Sequence, residues 1–277
     1  MKIAVKIGSS LLTHINDGLN SEAILKICQQ IAELQHSGHR VFLVTSGAVS
    51  SDPQKQRPKN LRAAVGMGRL ISRYIQYFDI FGVEAGQMLL TDHDLHRQCR
   101  DSLINLFKAA MDNRVVPIVN ANDTVDWQEL EQLDICADND ILFMNLCLAL
   151  KPDLAIIGFD QFGVLDEDDH VVSVVNEHNF LPLLVEAQGS SDTGHGEFGM
   201  NTKMQVARIL AQNGIKTLLA PGKIERFILG AVSELSHPTY KFGTQFQFNQ
   251  LELDFQDTDR FRVKTVAELR LEHGIFS

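Results

Sequence analysis

The sequence predicts an α/β fold built on a mainly parallel sheet. Short runs of β-branched and apolar residues alternate along the chain with longer segments of helical periodicity, and several of the short runs are apolar throughout. Such alternation is typical of parallel sheets with crossover helices, and continuous apolar strands indicate a sheet covered on both faces. The six predicted strands are residues 2–7, 40–44, 84–89, 115–119, 154–157 and 217–220.

Three long segments between these strands are predicted helices, at residues 21–35, 61–81 and 200–212. The first begins with Ser21 as the predicted N-cap, followed by an acidic residue in the first turn. A glycine stands shortly beyond the end of each helix, where a left-handed residue terminates helical structure. These glycines are Gly38, Gly82 and Gly214.

Two polar segments are predicted to be loops. Residues 50–60 are polar and contain two prolines, and residues 189–199 are rich in glycine and small polar residues. Such residues favour turns and loops over regular elements. Near the carboxyl terminus, the alternating pattern of residues 245–253 predicts edge strands or a hairpin, and a short helix is predicted from Thr265.

The composition argues against several classes of protein. The chain carries 35 acidic and 25 basic side chains, a formal net charge of −10, whereas proteins that wrap nucleic acid need a basic face. No apolar run approaches the roughly 20 residues that cross a bilayer. The four cysteines (Cys28, Cys99, Cys136 and Cys147) are scattered, which indicates reduced thiols rather than disulfides or a zinc site. We therefore expect a soluble, cytoplasmic protein that binds neither nucleic acid nor membrane.

Polar and charged residues follow the predicted strands at the point where each strand ends. Lys6 and Gly8 close the first strand, and Ser46 and Gly47 follow the second in a turn of small residues. In open α/β sheets, ligands bind at the carboxyl ends of the strands. A lysine beside exposed backbone N–H groups suits an anion, as does a turn that opens a helix. Further polar groups lie at residues 120–124, 138–140 and 194–203.

Taken singly, each feature has an ordinary structural explanation. A Gly-Ser turn is usually a loop, residues 138–140 can cap a helix, and the glycine-rich segment can be a linker. His93, Asp94 and His96 resemble metal ligands, but solvated helix residues are the better interpretation, so no protein-bound metal is expected. The chain has no Walker A pattern and no G-x-G-x-x-G after its first strand, which disfavours a P-loop kinase or a classical dinucleotide-dependent dehydrogenase.

In combination and order, these segments resemble the amino-acid kinase superfamily and, within it, the glutamate 5-kinases. The resemblance covers about residues 1–222, and residues 243–244 resemble the closing Gly-Thr of the family. The matching segments are VKIGSSLLT (5–13), VTSGAV (44–49), AAVGMGRL (63–70), GQMLLT (86–91), VPIVN (116–120), NDTV (122–125), DND (138–140) and GMNTK (199–203).

The resemblance implies a single domain over residues 1–277 with the amino-acid kinase fold. This fold is a three-layer αβα sandwich around a mainly parallel sheet of about eight strands. The length leaves no room for the C-terminal RNA-binding-like domain of many bacterial members, so the resemblance is to a form that lacks it.

The resemblance also implies roles for individual residues. Two lysines neutralise the transferred phosphoryl group, and an aspartate holds both lysines in place. The residues at the matching positions are Lys6, Lys203 and Asp140 for catalysis. Those for the glutamate substrate are Ser46, Gly47, Asp123 and Asn139. Those for the nucleotide are Lys6, Gly8, Asp160, Gly199, Met200 and Lys203, with the backbone N–H of Gly8 as a donor to phosphoryl oxygens.

The reaction of the family transfers the γ-phosphoryl group of Mg-ATP to the side-chain carboxylate of L-glutamate, giving L-glutamyl 5-phosphate in the first step of proline biosynthesis. The resemblance thus implies ATP and L-glutamate as ligands, with Mg²⁺ carried by the nucleotide. It also implies a homodimer or homotetramer, and it makes the next enzyme of proline synthesis a candidate partner. A carboxylate acceptor is already ionised at neutral pH, so positioning and positive charge are the main requirements.

Four residues depart from the family pattern near the expected ligands. Ala121 stands in place of an acid, Phe159 replaces the threonine before the nucleotide-side aspartate, and Glu197 and Phe198 interrupt a glycine-rich segment. The principal charges are retained, which favours an active kinase. Two alternatives stay open: a superfamily enzyme with a different carboxylate or phosphate acceptor, and a catalytically degenerate regulator that binds glutamate or proline.

Overall fold

The computed structural model describes residues 1–14, 18–95, 97–124, 139–189, 197–236 and 242–250. The strands, numbered in chain order, are β1 (Lys2–Ile7), β2 (Thr13–His14), β3 (Gly18–Leu19), β4 (Arg40–Thr45), β5 (Ala85–Leu90), β6 (Val116–Ala121), β7 (Leu154–Phe159), β8 (Val164–Leu165), β9 (Val171–Val172), β10 (Val174–Val175), β11 (Lys216–Pro221) and β12 (Thr244–Phe246).

The helices are α1 (Ser9–Leu12), α2 (Ser21–His36), α3 (Lys59–Ile80), α4 (Asp92–Leu95), α5 (Arg97–Asp112), α6 (Asn139–Leu150), α7 (Phe180–Gly189), α8 (Glu197–Gln212) and α9 (Phe227–Ser236), with a 3₁₀ turn at Val49–Ser51. Among the described segments, none of these helices combines the length and the apolar character needed to cross a membrane.

Eight strands form the main sheet, in the order β10-β12-β11-β7-β1-β4-β6-β5. Neighbouring strands are parallel except for β11 and β12, which run antiparallel. The prediction of a mainly parallel sheet of about eight strands is therefore confirmed. Because β1 lies between β7 and β4, its carboxyl end stands near the middle of the sheet edge where ligands bind in such folds.

Alternate residues of β1 pack into two separate cores, which makes the fold a three-layer αβα sandwich. Ile3, Val5 and Ile7 pack with buried residues of α2, α3 and α9 on one face. Ala4 packs with those of α5, α6, α7 and α8 on the other face. Since successive side chains of a strand point to opposite faces, Lys6 shares the face of Ala4 and lies on the side of α6 and α8.

Helix α6 is apolar around most of its circumference and is buried, as expected for a helix without a polar face. At its carboxyl end, the Lys2 Nζ donates to the carbonyl oxygen of Leu150 at 2.6 Å. A cation at this end of a helix satisfies a terminal carbonyl and opposes the negative end of the helix dipole. The other end of α6 carries Asp140 in its first turn.

The six predicted strands all occur, with ends that differ by at most two residues from the prediction. The three predicted helices also occur, although α8 begins at Glu197 rather than at residue 200. The predicted N-cap of α2 was wrong. Ser21 is already the first helical residue, and the cap is Asn20, whose side-chain oxygen accepts from the N–H of Ala23 at 3.1 Å.

The predicted polar segments are only partly loops. Within residues 50–60, the carboxylate of Asp52 is buried and pairs with Arg57 at 3.3 Å, so this segment is anchored rather than fully solvated. Of residues 189–199, those from 190 to 196 lie outside the described residues. Strand β12, predicted as an edge strand, lies inside the sheet because β10 pairs on its far side. Residues 251–277, with the predicted helix from Thr265, also lie outside the described residues.

Helix α3 touches the backbone of the turn that follows β4. A Cβ atom at Gly66 would overlap with the carbonyl oxygen of Ala48, so only glycine permits this approach. Two residues further along the same helix, a Cβ atom at Gly68 would meet nothing within 4 Å. Gly66 therefore sets how closely α3 packs against the turn that carries Ser46 and Gly47.

Gly66→Ala is expected to lower the free energy of unfolding by about 2 kcal/mol or more, because a backbone carbonyl cannot move aside cheaply. Gly68→Ala is the matched control. It is expected to raise the free energy of unfolding by up to about 1 kcal/mol through the better helix propensity of alanine. Urea unfolding of both variants measures the difference, and equal effects would contradict the close-packing argument.

Candidate active site

The residues that the sequence singled out gather along the carboxyl edge of the sheet. Lys6 is the penultimate residue of strand β1, near the middle of the sheet, and Ser46 and Gly47 follow β4. Asp123 follows β6, on the same side of β1 as β4. Asp160 follows β7, on the opposite side of β1. The sheet order therefore separates the predicted acceptor residues from the predicted nucleotide residues, with Lys6 between them.

The centre of the site is a cluster of two lysines around one carboxylate. The Lys6 Nζ lies 2.5 Å from one carboxylate oxygen of Asp140, and the Lys203 Nζ lies 3.2 Å from the other. The Lys6 side chain is 4% exposed and that of Asp140 is 3% exposed, whereas Lys203 retains 15%. The structure thus brings together the three residues predicted to be catalytic, and Lys203 is the more accessible of the two cations.

The electrostatics of the cluster favour the ionised form of Asp140. Burial by itself acts to raise the pKa of this carboxyl group. The positive charges of Lys6 and Lys203, and their hydrogen bonds to the carboxylate, outweigh the effect of burial and lower the pKa of Asp140 below its ordinary value. With two cations and one anion, the cluster carries a net positive charge, which suits it to an anionic ligand.

Lys203 is held in place by its own helix as well as by Asp140. Its Nζ donates to the carbonyl oxygen of Gly199 at 2.9 Å, one turn earlier in α8. A Cβ atom at Gly199 would lie 3.4 Å from this Nζ, so the glycine leaves room for the ammonium group against the backbone. The side chain of Met200 packs against the core on this face of the sheet. Of the two predicted nucleotide residues here, Gly199 therefore contacts the cluster through its carbonyl oxygen.

The turn after β4 is fixed by backbone geometry. The N–H of Ser46 donates to the carbonyl oxygen of Ile7 at 3.2 Å, which ties the ends of β4 and β1 together. Gly47 has a φ of +96°, a left-handed conformation that other residues adopt only with strain. Ser51 is buried, and its hydroxyl donates to the carbonyl oxygen of Gly47 at 2.5 Å.

Asn139 connects the start of α6 to the end of β6. Its side-chain oxygen accepts from the N–H of Ala121 at 3.4 Å. Ala121 stands in place of an acidic residue of the family, and its methyl side chain is buried in the core. Asp123 lies in the turn that follows and is partly exposed. Asn139 and Asp123 therefore lie near the end of β6, on the β4 side of Lys6, while Asp138 lies outside the described residues.

The nucleotide side differs from expectation at Gly8. The N–H of Gly8 donates to the carbonyl oxygen of Gly158 at 3.1 Å, so it is not available as the direct donor to phosphoryl oxygens that the sequence suggested. Phe159, the replacement for a family threonine, is 3% exposed and packs in the core, so its ring does not enter the site. Asp160 is half-buried at the end of the same strand.

Two residues near the turn after β4, which we call the acceptor turn from its predicted role, had no predicted role themselves. The first is Ser51, which supports Gly47 as described above. The second is Asn120, which is 2% exposed and whose amide nitrogen and oxygen have no hydrogen-bond partner within the described part of the chain. Its neighbours in the small space beneath the turn include Thr45, Tyr74 and Gln87. Asn120 belongs to the VPIVN segment, but a single sequence gives no means of telling that its amide would be buried and unpaired.

Comparison with known proteins identifies the class of protein. A model of the amino acid kinase family matches residues 1–220. Among solved structures, carbamate kinase from Giardia lamblia bound to AMP-PNP aligns with a TM-score of 0.61 at 15% identity, covering 90% of this chain and 98% of that one. An isopentenyl phosphate kinase aligns with a TM-score of 0.57 at 15% identity, covering 89% of this chain and 100% of that one. At such identities the structural likeness concerns the fold.

The chain therefore belongs to the amino acid kinase family, and its curated relatives within that family are glutamate 5-kinases. The glutamate 5-kinase of Caldanaerobacter subterraneus subsp. tengcongensis is 37% identical over 248 residues, which is 82% of this chain and 64% of that protein. That of Enterobacter sp. (strain 638) is 31% identical over 288 residues, covering 98% of this chain and 76% of that protein. The chain thus spans less than two thirds of the length of the first of these relatives.

The lowered pKa of Asp140 predicts how the stability of the protein depends on pH. The contribution of this carboxylate is complete above about pH 5 and is lost as the pH falls through the folded pKa, which lies below the ordinary value of about 3.9. Asp140→Asn is expected to lower the free energy of unfolding at pH 7 by about 3 kcal/mol, since it leaves the buried Lys6 and the partly buried Lys203 without their counter-ion.

Urea unfolding at pH 7 and at pH 3 tests this expectation. The gap in stability between the wild type and Asp140→Asn should narrow at the lower pH. At pH 3 the carboxyl group of Asp140 is largely protonated in the unfolded chain, where its pKa is ordinary, whereas its pKa is lowered in the folded protein, so unfolding of the wild type takes up a proton and becomes easier. Asp112→Asn, at an exposed position on α5, is the control and should leave both values unchanged. A gap of constant size at both pH values would show that the ionisation of Asp140 does not stabilise the fold.

Proposed function

We propose that this protein transfers the γ-phosphoryl group of ATP to the side-chain carboxylate of L-glutamate, giving L-glutamyl 5-phosphate, the first step of proline biosynthesis. The observation that carries the proposal is the Lys6–Asp140–Lys203 cluster at the carboxyl edge of the sheet, between the predicted acceptor and nucleotide residues. The glutamate 5-kinase relatives support the choice of acceptor.

The chemistry of the cluster suits transfer between two anions. The acceptor carboxylate attacks the γ-phosphorus, a new O–P bond forms, and the bond to the oxygen bridging the β- and γ-phosphorus atoms breaks to release ADP. No general base is required, because the acceptor is already ionised at neutral pH. Lys6 and Lys203 reduce the repulsion between the anions and stabilise charge on the transferred phosphoryl group. Asp140 holds the two ammonium groups in position, so they need not reorganise during the reaction.

The residues over β4 and β6 suit an amino acid that carries two carboxylates. Asp123 offers a negative charge to the α-amino group, and a charge-assisted hydrogen bond of this kind fixes orientation. Ser46 and Asn139 offer a hydroxyl and an amide to the carboxylates. Gly47 provides the left-handed backbone conformation that the turn carrying Ser46 requires. Of the predicted nucleotide residues, Asp160 follows β7 on the other side of Lys6, and Gly199 and Met200 lie on α8. Gly8 directly follows β1, and its N–H is bonded to Gly158.

Mg²⁺ is proposed to accompany ATP, bound by phosphate oxygens and water. Both carboxylate oxygens of Asp140 are engaged by lysines, so this residue fits a role in placing cations better than a role as a metal ligand. No group of three potential protein ligands occurs among the residues that the structure describes. Mg²⁺ commonly binds through substrate phosphates and retains several waters, and when bound it reduces the negative charge of the phosphates.

The assembly and the partners of the protein belong to the same proposal. A homodimer or homotetramer, and contact with the next enzyme of proline synthesis, are expected from the family resemblance alone. Sedimentation analysis of the purified protein measures the assembly directly.

Purified protein supplied with Mg-ATP and L-glutamate is expected to form acyl phosphate, which hydroxylamine traps as the hydroxamate. Lys203→Ala is expected to lower kcat by about 100-fold or more, because the transferred charge loses one of its two cations. Lys108→Ala removes an exposed lysine on α5, away from the carboxyl edge of the sheet, and serves as the control for loss of charge. If the protein binds glutamate or nucleotide but forms no hydroxamate, the result would favour a catalytically degenerate regulator. If it phosphorylates another acceptor instead of glutamate, the result would favour a superfamily kinase of different specificity.

Two substitutions test the division of the site into halves, and each is the control of the other. Asp123→Asn is expected to raise the KM for glutamate by about 10-fold or more through loss of a charge-assisted bond, with little change in the KM for ATP. Asp160→Asn is expected to raise the KM for ATP and leave the KM for glutamate unchanged. Steady-state kinetics with each substrate varied separately gives both constants, and the assignment fails if either variant raises both equally.

A further inference from the structure

A polar concavity lies on the face of the sheet opposite to the lysine cluster. We call it the α2–α3 groove, because it lies between the β3 strand, the first residue of α2, the 3₁₀ turn and the middle of α3. Its volume is about 600 Å³, within the range of about 300–1,000 Å³ that is usual for small-molecule sites. Its walls include Gly18, Ser51, Arg69, Arg73 and Gln76.

The groove is separate from the proposed reaction centre. Helices α2 and α3 pack on the face of the sheet that receives Ile3, Val5 and Ile7. Lys6 is on the other face with α6 and α8. None of the groove's described wall residues is among the predicted catalytic, acceptor or nucleotide residues. The groove is therefore available for a ligand that takes no part in phosphoryl transfer.

The charge of the groove is opposite to that of the protein. Its described walls contain two arginines and no acidic residue, although the chain as a whole has a net charge of −10. The surrounding segment is also basic: residues 52–80 contain six basic residues and two acidic ones, a net charge of +4. Only Arg69 and Arg73 of this segment line the groove, and two like charges at a concave site suit an anionic ligand. The six basic residues are Lys55, Arg57, Lys59, Arg62, Arg69 and Arg73.

Arg69 and Arg73 are placed to bind one anion together. They are four residues apart on α3, so their side chains lie on the same face of the helix. The Arg73 guanidinium lies 5.7 Å from the centre of the Tyr77 ring, a contact that restricts its orientation. Neither arginine forms an ion pair with a carboxylate in the described part of the chain. The nearby carboxylate of Asp52 is buried, does not line the groove and pairs with Arg57. The charge of Arg69 also acts on this carboxylate, but less strongly than that of Arg57.

The groove is connected to the acceptor turn by a direct contact. Ser51 lines the groove, and both its backbone N–H and its hydroxyl donate to the carbonyl oxygen of Gly47. Gly47 in turn follows Ser46, the predicted acceptor residue. A ligand that holds the 3₁₀ turn in place therefore also restricts the acceptor turn.

We propose that the α2–α3 groove binds a small molecule through a doubly charged oxyanion, such as a phosphate group or a pair of neighbouring carboxylates, held by Arg69 and Arg73. Bound ligand lowers the KM for the acceptor and leaves kcat unchanged, because it fixes the turn but does not touch the reacting atoms. The expected effect on the KM rests on the proposed function, whereas the binding of an anion in the groove does not depend on it.

Isothermal titration calorimetry with inorganic pyrophosphate, and separately with citrate, tests the site without any turnover. The wild type is expected to bind two pyrophosphate ions per chain, one at the lysine cluster and one in the groove. The double variant Arg69→Gln/Arg73→Gln should bind pyrophosphate normally at the lysine cluster and about 100-fold more weakly in the groove, since two charge-assisted contacts are removed. Lys203→Ala should weaken binding at the lysine cluster and leave binding in the groove unchanged. The two probes distinguish a phosphate ligand from a carboxylate ligand.

Lys108→Gln/Lys216→Gln is the matched control, because it removes two exposed cations far from the groove. Retention of both sites in this control supports the assignment to the arginines. Equal binding by the wild type and the arginine double variant overturns the proposal, as does an equal loss in the lysine control. Sedimentation of the double variant provides a further check, since a changed assembly with unchanged pyrophosphate binding would assign the arginines to contact with a second copy of the chain.

The kinetic consequence is measured in the hydroxamate assay with the anion that binds the groove more tightly. The KM for glutamate should fall in the wild type and in the lysine control, and it should stay constant in the arginine double variant. An unchanged KM in the wild type would overturn the coupling to the acceptor turn. Absence of turnover in every variant, with groove binding intact, would count against the proposed kinase and leave the binding site standing.

Discussion

The site depends on the ion pairs that the buried carboxylate of Asp140 forms with Lys6 and Lys203. A carboxylate that is removed from water is costly unless cations and hydrogen bonds compensate it, and here two lysines do so. Lys6 comes from the central strand, Asp140 from the start of α6 and Lys203 from α8. Because both helices must present their side chains to the same point above β1, the ion cluster fixes their placement over the sheet. The same arrangement leaves a net positive charge at the edge where ligands bind.

Close backbone contacts, rather than charges, position the turn after β4, which belongs to the proposed acceptor half of the site. Gly66 lets α3 approach the carbonyl of Ala48, and Ser51 binds the carbonyl of Gly47. These contacts join the 3₁₀ turn, α3 and the end of β4 into one unit. Interiors packed in this way transmit small displacements instead of absorbing them. The proposed coupling of the α2–α3 groove to the turn after β4 rests on these contacts.

The departures from the family pattern have different consequences once they are placed in the fold. Phe159 is part of the core, where an aromatic ring adds apolar burial and does not obstruct the site. Ala121 is also buried, and its backbone N–H serves as the partner of Asn139. Neither change removes a member of the lysine cluster. The sequence could show that these residues were unusual, but only their burial shows why they are compatible with the site.

The sequence by itself determined the order of strands and helices, the mainly parallel sheet and the identity of the principal charges. These could be predicted because hydrophobic periodicity, turn residues and strand ends are local features of a chain. Tertiary structure decided the rest. Three features depend on how distant segments pack. They are the cluster of Lys6, Asp140 and Lys203, the hydrogen bond from the Gly8 N–H to Gly158, and the close approach of α3 to the backbone at Gly66. The wrong N-cap at Ser21 is a smaller case, since Asn20 and Ser21 are both good caps by type and the backbone chose between them. Contacts between segments far apart in sequence leave no periodic signal in a single chain, and so they became visible only in the folded molecule.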